Sequence, residues 1–242
     1  MTEEQALVET GHCKRVTYVE IARAETERGE LVLRERRPED GPTALELRAN
    51  GVFVMDTVEV GTERALAAAA LELVAEPRAV VVAGLGLGFT MHEVLADSRV
   101  EKCAVVEIEE PLVGWMRDGT ITHGPALLAD ERVTVVVADV AAAIAEARPA
   151  SYDLILLDVD NGPGYLVHDT NEALYHAPFL TSARDVLRPG GALAVWSAAE
   201  SPELEETLRE VFGEVSVQAH DVLLQGRDER YWLYAARVPS RG

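Results

Sequence analysis

The chain has 242 residues, a formal net charge of −20 and a sequence pI near 4.6. That balance repels nucleic-acid phosphates and anionic lipid, which excludes a nucleic-acid partner or a membrane-surface role, and no apolar run is long enough to span a bilayer. Cys13 and Cys103 are too few and too far apart for a disulfide framework or a zinc site, so both read as thiols in a reducing compartment.

The opening stretch, MTEEQALVETGHCKR, has neither a basic nor an apolar leader region, so the expectation is a soluble, cytoplasmic protein. Residues 16–21 and 31–34 alternate as strands do. Residues 45–48 and 52–55 flank Asn50-Gly51, the pair that a type I′ hairpin turn favours. Residues 62–74 read as a helix. Residues 1–61 are therefore expected to be a small β-rich appendage, and residues 62–242 a single larger domain.

From residue 78 onward strands and helices alternate. Strands are expected at 79–83, 103–107, 133–138, 153–157 and 192–196. Helices are expected at 90–96, 111–117, 140–147, 171–187 and 202–212, the last with Ser201 as its N-cap. The strands are apolar on both faces, so helices should cover the sheet on both sides. Residues 215–218 and 231–236 are close enough to form an antiparallel edge. The fold class that follows is α/β: a doubly wound, Rossmann-like, mostly parallel sheet with an antiparallel C-terminal edge.

Gly84-Leu85-Gly86-Leu87-Gly88 follows the first strand of that sheet and precedes a helix. Glycines there let the backbone turn tightly and approach a ligand. Glu107, followed by Ile108, ends the next strand and can accept hydrogen bonds from both hydroxyls of a ribose. The third strand ends at Asp139-Val140, where Asp139 can accept from an adenine amine, cap the following helix, or do both. Gly84, Leu85, Gly86, Gly88, Glu107, Ile108, Asp139, Val140 and Asp158 make up the candidate nucleoside site. Spacing alone separates neither a dinucleotide nor an S-adenosyl ligand.

Asp158 and Asp160 follow the fourth strand directly, at the carboxyl ends where such sheets bind ligands, and Asn161-Gly162-Pro163-Gly164 forces an irregular loop beside them. Two neighbouring carboxylates are costly unless a cation joins them. A hard metal wants more oxygen ligands than this stretch supplies, so no metal is expected, and a sulfonium or a protonated amine remains.

The order VVVAGLGLGF, CAVVEIEE, VVVADV, YDLILLDVDNGPG, LRPGG resembles the spermidine synthases, the polyamine aminopropyltransferases, within the class I S-adenosylmethionine-dependent methyltransferase fold. The likeness covers residues 78–196, and that family also carries a β-rich N-terminal part. The resemblance implies a nucleoside held by the glycine loop and Glu107, an adenine contact at Asp139, and Asp158 positioning and deprotonating an attacking amine. Asp160 matches a second acid that holds an amine. The co-substrate it implies is S-adenosylmethionine or its decarboxylated form, and the substrate a small cationic amine. Three places depart from the family pattern. Leu87 stands where the family's glycine loop has an Asp, Gly61-Thr62-Glu63-Arg64-Ala65 where it has Tyr-His-Glu, and Asp158-Val159-Asp160-Asn161-Gly162-Pro163 where it has Asp-Ser-Ser-Asp-Pro.

The decarboxylated donor would give aminopropyl transfer to a polyamine, and S-adenosylmethionine itself methyl transfer to a small molecule. A non-catalytic adenosyl-binding module is the alternative of another class. A nicotinamide dehydrogenase leaves Asp139 and the Asp158 loop without a role. Asn161 and Tyr175 are expected at the acceptor, and a homodimer is expected by analogy with related folds.

Overall fold

The computed structural model describes residues 15–159, 162–163, 166, 168–224 and 227–240. Four strands open it: β1 (Val16–Thr26), β2 (Gly29–Pro38), β3 (Ala44–Ala49) and β4 (Val52–Asp56). They form an antiparallel sheet in the order β1-β2-β3-β4. Asn50 and Gly51 both take positive φ, 51° and 76°, as a type I′ turn requires. Leu33 and Leu47 point from this sheet into the main core. Its other face buries Glu46 under Arg34 and Arg48, at 2.6 and 2.8 Å, so the charge is paired rather than stranded.

Helix α1 (Gly61–Leu73) leads into the larger unit, and the expected division at residues 61 and 62 falls in its first turn. There follow β5 (Ala79–Ala83), α2 (Phe89–Ala96), β6 (Lys102–Glu107), α3 (Glu110–Asp118), α4 (Gly124–Leu128), β7 (Val133–Val137), α5 (Val140–Glu146) and β8 (Tyr152–Leu157). A 3-10 helix (Asp169–Tyr175), α6 (Ala177–Val186), β9 (Leu187–Ser197), α7 (Pro202–Phe212), β10 (Glu214–Leu224) and β11 (Arg227–Arg237) complete the chain. The seven strands run β10-β11-β9-β8-β5-β6-β7. Pairs among β5 to β9 are parallel, and β11 pairs antiparallel with β9 and β10. The α/β class and the antiparallel C-terminal edge are thus as the sequence pattern has them.

Alternating side chains of the central strands feed two cores. Val80, Val82, Leu154 and Leu156 pack with residues of α1 and α2 on one face. Val81, Ala83, Ile155 and Leu157 pack with residues of α5, α6 and α7 on the other. This is why β5 and β8 read as unbroken apolar runs. Cover fails at β7, the edge strand, where Val136 and Val137 are exposed.

Two expected elements differ in extent. The helix expected at 171–187 is split into the 3-10 helix and α6, with His176 extended between them. Pro178 has no N–H to give to a continuous helix, so it sits in the first turn of α6, where none is needed. The strand expected at 192–196 begins at Leu187, because Arg188-Pro189-Gly190-Gly191 bulges within the pairing with β8.

Candidate active site

β5 is the pivot of the sheet. The chain leaves it toward β6 on one side, while β8 lies on the other, and a crevice opens where the order reverses. The amide of Gly84 donates to Val106 O at 2.9 Å, and that of Asp158 to Ala83 O at 2.8 Å. The exits of β6, β5 and β8 are therefore tied together. Gly84 has φ +95°, and a Cβ there would stand 2.0 Å from the Asp158 carbonyl oxygen. Only glycine lets the two strand ends pass so closely.

Glu107, at the end of β6, is buried and holds the glycine loop. Its Oε2 accepts from the Leu85 amide at 2.9 Å, and its Oε1 from the Glu109 amide at 2.8 Å. Burial, the leading influence, pushes its carboxyl above the usual range, and these two amides oppose the shift. Each oxygen keeps a second lone pair for a ribose hydroxyl, and the residue lines the crevice. Asp139 lines it too, while its Oδ1 accepts from the Ala141 amide at 2.7 Å and so caps α5. Both roles read from the sequence are geometrically open to it.

The sheet order lays these groups in a row: Asp139 after β7, Glu107 on β6, Gly84 after β5, Asp158 after β8 and Trp196 on β9. Three strand spacings separate Asp139 from Asp158, about 14 Å. That span is long enough for a nucleoside with a short tail.

At the Asp158 end stands a residue that sequence reading left unassigned. Glu63, in the first turn of α1, is buried and lines the same crevice. Its Oε2 accepts from the Thr62 hydroxyl at 2.9 Å. Thr90 spans the two acids: its hydroxyl donates to Asp158 Oδ2 at 2.6 Å and lies 3.5 Å from the Glu63 carbonyl. Burial and, next, the charge of Asp158 push the Glu63 carboxyl up to about 7. Burial pushes Asp158 up to about 6, against the Thr90 hydrogen bond. Beside them the Trp196 indole N–H is buried without a partner among the described residues, and Tyr231 packs edge-on to that ring at 4.9 Å. The signal that could have revealed Glu63 is its place in the buried stripe of α1, with Leu66, Ala67, Ala70 and Leu71.

A group protonated more readily in the fold than in the unfolded chain supports folding fully at low pH, and loses that support as pH rises through its folded value. Glu63→Gln should therefore raise the melting temperature of the free protein at pH 8, by about 5 °C if the shift costs about 2 kcal/mol. At pH 5 it should leave it unchanged. Calorimetry at the two pH values checks this.

The N-terminal sheet forms a wall of the site. Leu31, Leu47, Ala49, Val54 and Met55 line the crevice. Met55 Sδ accepts from the Leu87 amide at 3.1 Å and occupies the space a Cβ of Gly86 would need. Arg28, in the β1–β2 turn, reaches Glu109 at 3.3 Å and Asn171 at 3.3 Å.

Of the expected site residues, Gly84, Gly86, Glu107, Ile108, Asp139, Val140 and Asp158 line one crevice. Leu85 contributes its amide to Glu107, but its side chain is in the core. Gly88 caps α2 in a left-handed conformation, beneath Met116 and Leu127. Tyr175, expected at the acceptor, is instead buried, and its hydroxyl donates to the Val159 carbonyl at 2.9 Å. The 3-10 helix turns that ring back onto the core, so Tyr175 braces the exit of β8. Asp160 and Asn161 lie outside the described residues. Among the described residues no group of three or more His, Cys, Asp or Glu is placed to hold a metal ion, and no helix is long and apolar enough to cross a membrane. Cys103 is buried and its thiol is pushed up to about 12, which fits packing rather than nucleophilic chemistry.

Comparison with known proteins places this geometry. Residues 59–222 match the spermine/spermidine synthase domain. Polyamine aminopropyltransferase 2 of Pseudomonas aeruginosa is 32% identical over 151 residues, covering 58% of this chain and 41% of that protein. Putrescine N-methyltransferase 3 of Nicotiana tabacum is 35% identical over 127 residues, covering 52% of this chain and 31% of that one. The matches thus span less than half the length of either relative. A crystal structure of spermidine synthase with the transition-state analogue AdoDATO superposes with a TM-score of 0.73, covering 90% of this chain and 73% of that one, at 18% identity. That likeness is one of fold.

Proposed function

Because the chain belongs to the spermine/spermidine synthase family, we propose that it is a transferase that alkylates a small cationic amine from an adenosyl sulfonium donor. We favour aminopropyl transfer to a polyamine from decarboxylated S-adenosylmethionine. The observation that carries this reading is the pair Glu63 and Asp158, one buried and one half-buried carboxylate facing one crevice with no basic side chain paired to either among the described residues. Charge of that sign, desolvated, attracts an ammonium or a sulfonium far more strongly than it would in water.

When bound, the donor supplies a carbon activated by a positively charged sulfur. Glu107 and Asp139 hold the nucleoside, Gly84 and Gly86 let it lie against the backbone, and the wall of Leu31, Leu47 and Met55 excludes water. Asp158 takes the proton of the incoming ammonium and frees its lone pair. Alkylation forms a carbon–nitrogen bond and breaks a carbon–sulfur bond, whose electron pair stays on sulfur. Asp158 then returns its proton to solvent. Thr90 orients the carboxylate throughout.

Methyl transfer is the second reading, and the putrescine N-methyltransferase likeness is what favours it. Incubation of the protein with each donor and a series of diamines and polyamines, read by mass spectrometry, separates the two. An aminopropyl gain supports the first and a methyl gain the second. Binding of methylthioadenosine with no product from any amine would leave a non-catalytic module. We also propose a cytoplasmic location and a homodimer; analytical ultracentrifugation of the purified chain tests the dimer.

The chemistry needs Asp158 deprotonated, and its raised value puts that transition near neutrality rather than near pH 4. Turnover should therefore rise with pH through about 6 to 7 and then level off, with the acidic limb set by the coupled Asp158 and Glu63 pair. A flat profile from pH 5 to 8 would remove Asp158 as the base.

A further inference from the structure

We infer that Glu63 sorts adenosyl donors by the charge of their tails, admitting a tail that ends in an ammonium and refusing one that carries a carboxylate. The inference rests on the transferase reading and adds to it the residue that selects the donor.

Three observations carry it. Glu63 lies beside Thr90, two residues past the glycine loop, and Thr90 also holds Asp158. A tail extending from a sulfur delivered toward Asp158 therefore meets Glu63. Next, three of the glycine-loop amides that a donor carboxylate would seek are taken. A glycine loop ahead of a helix offers its N–H groups to anions. Here the Leu85 amide is held by Glu107, the Leu87 amide by Met55 Sδ, and the Gly88 amide by the Leu85 carbonyl. Third, the basic side chains on the described wall are Arg28 and His168. Arg28 is engaged by Glu109, and His168 belongs to the segment ahead of the 3-10 helix rather than to α1 or the glycine loop. Leu87 supplies no charge here, since its side chain is fully buried in the core.

The test compares three ligands by isothermal titration calorimetry: decarboxylated S-adenosylmethionine, S-adenosylmethionine, and methylthioadenosine, which has neither tail charge nor sulfonium. The wild-type protein should bind the decarboxylated donor at least about tenfold more tightly than S-adenosylmethionine. Glu63→Gln should reduce that ratio by about tenfold or more and leave methylthioadenosine affinity nearly unchanged. Glu63→Asp, which keeps the charge, should restore most of the preference. Met55→Leu, which frees the Leu87 amide while keeping the volume, should improve S-adenosylmethionine binding alone. A preference unchanged in Glu63→Gln, or an equal loss for all three ligands, overturns the inference while the transferase reading stands. Failure of the wild-type protein to bind any of the three overturns both.

Discussion

Asp158→Asn is expected to lower turnover by about a thousandfold, within the range that removal of a general base produces, and to leave methylthioadenosine affinity nearly unchanged. The asparagine keeps the shape and the hydrogen bond from Thr90, so the crevice should keep its form. What it cannot do is take a proton from an ammonium. The loss should therefore appear in kcat as well as in kcat/KM, since the missing interaction is needed most in the transition state. Raising the pH should recover part of the activity, because a fraction of the amine then arrives already deprotonated. Single-turnover kinetics and a binding titration on the same preparation check this. Near-normal turnover would remove Asp158 from the chemistry, and loss of nucleoside binding would recast it as a structural residue.

The features legible in the sequence were those fixed by local rules. Asn50-Gly51 announced its hairpin because few residue pairs accept two positive φ values in succession. Glu107 was legible because the distance from a glycine loop to the end of the next parallel strand is set by one helical crossover. Asp158 was legible because a carboxylate ending a run of buried leucines has no packing purpose. Glu63 is not legible in this way, because an acid in the first turn of an Ala-rich helix has an ordinary explanation in the helix dipole. The packing of α1 against α2 and β9 turns it inward, toward Asp158. Met55 was hidden for a related reason. Nothing local says that a methionine ending a hairpin strand will cap an amide 32 positions later. The sheet of residues 16–56, within the appendage expected from residues 1–61, is thus a wall of the site, and its contribution depends on tertiary contacts that no periodicity encodes. Tyr175 shows the opposite error: an aromatic near an acidic loop invites a ligand role, yet the break before Pro178 turns it into the core.

Gly84→Ala is expected to have the largest effect on folding, and it tests the link between sheet geometry and chemistry. Two costs combine. An alanine at φ +95° carries strain of about 1–3 kcal/mol. Its Cβ would stand 2.0 Å from the Asp158 carbonyl oxygen, a backbone atom that no rotamer change can move aside. Relieving that overlap by shifting the exit of β8 costs about 1–3 kcal/mol more. The melting temperature should fall by about 10 °C on the usual scaling for a chain of this size. Gly51→Ala provides the contrast. It takes φ +76° in the hairpin turn, but a Cβ there meets nothing within 4 Å. That variant should show the strain alone, about 1–2 kcal/mol, with turnover intact. In Gly84→Ala the surviving folded protein should also lose activity well beyond its loss of stability, because Asp158 is displaced together with its own backbone. Calorimetry and turnover measured well below both melting temperatures decide the matter. Equal losses of stability in the two variants, or full activity in Gly84→Ala, would mean that the close passage of β5 and β8 does not set the position of the carboxylate.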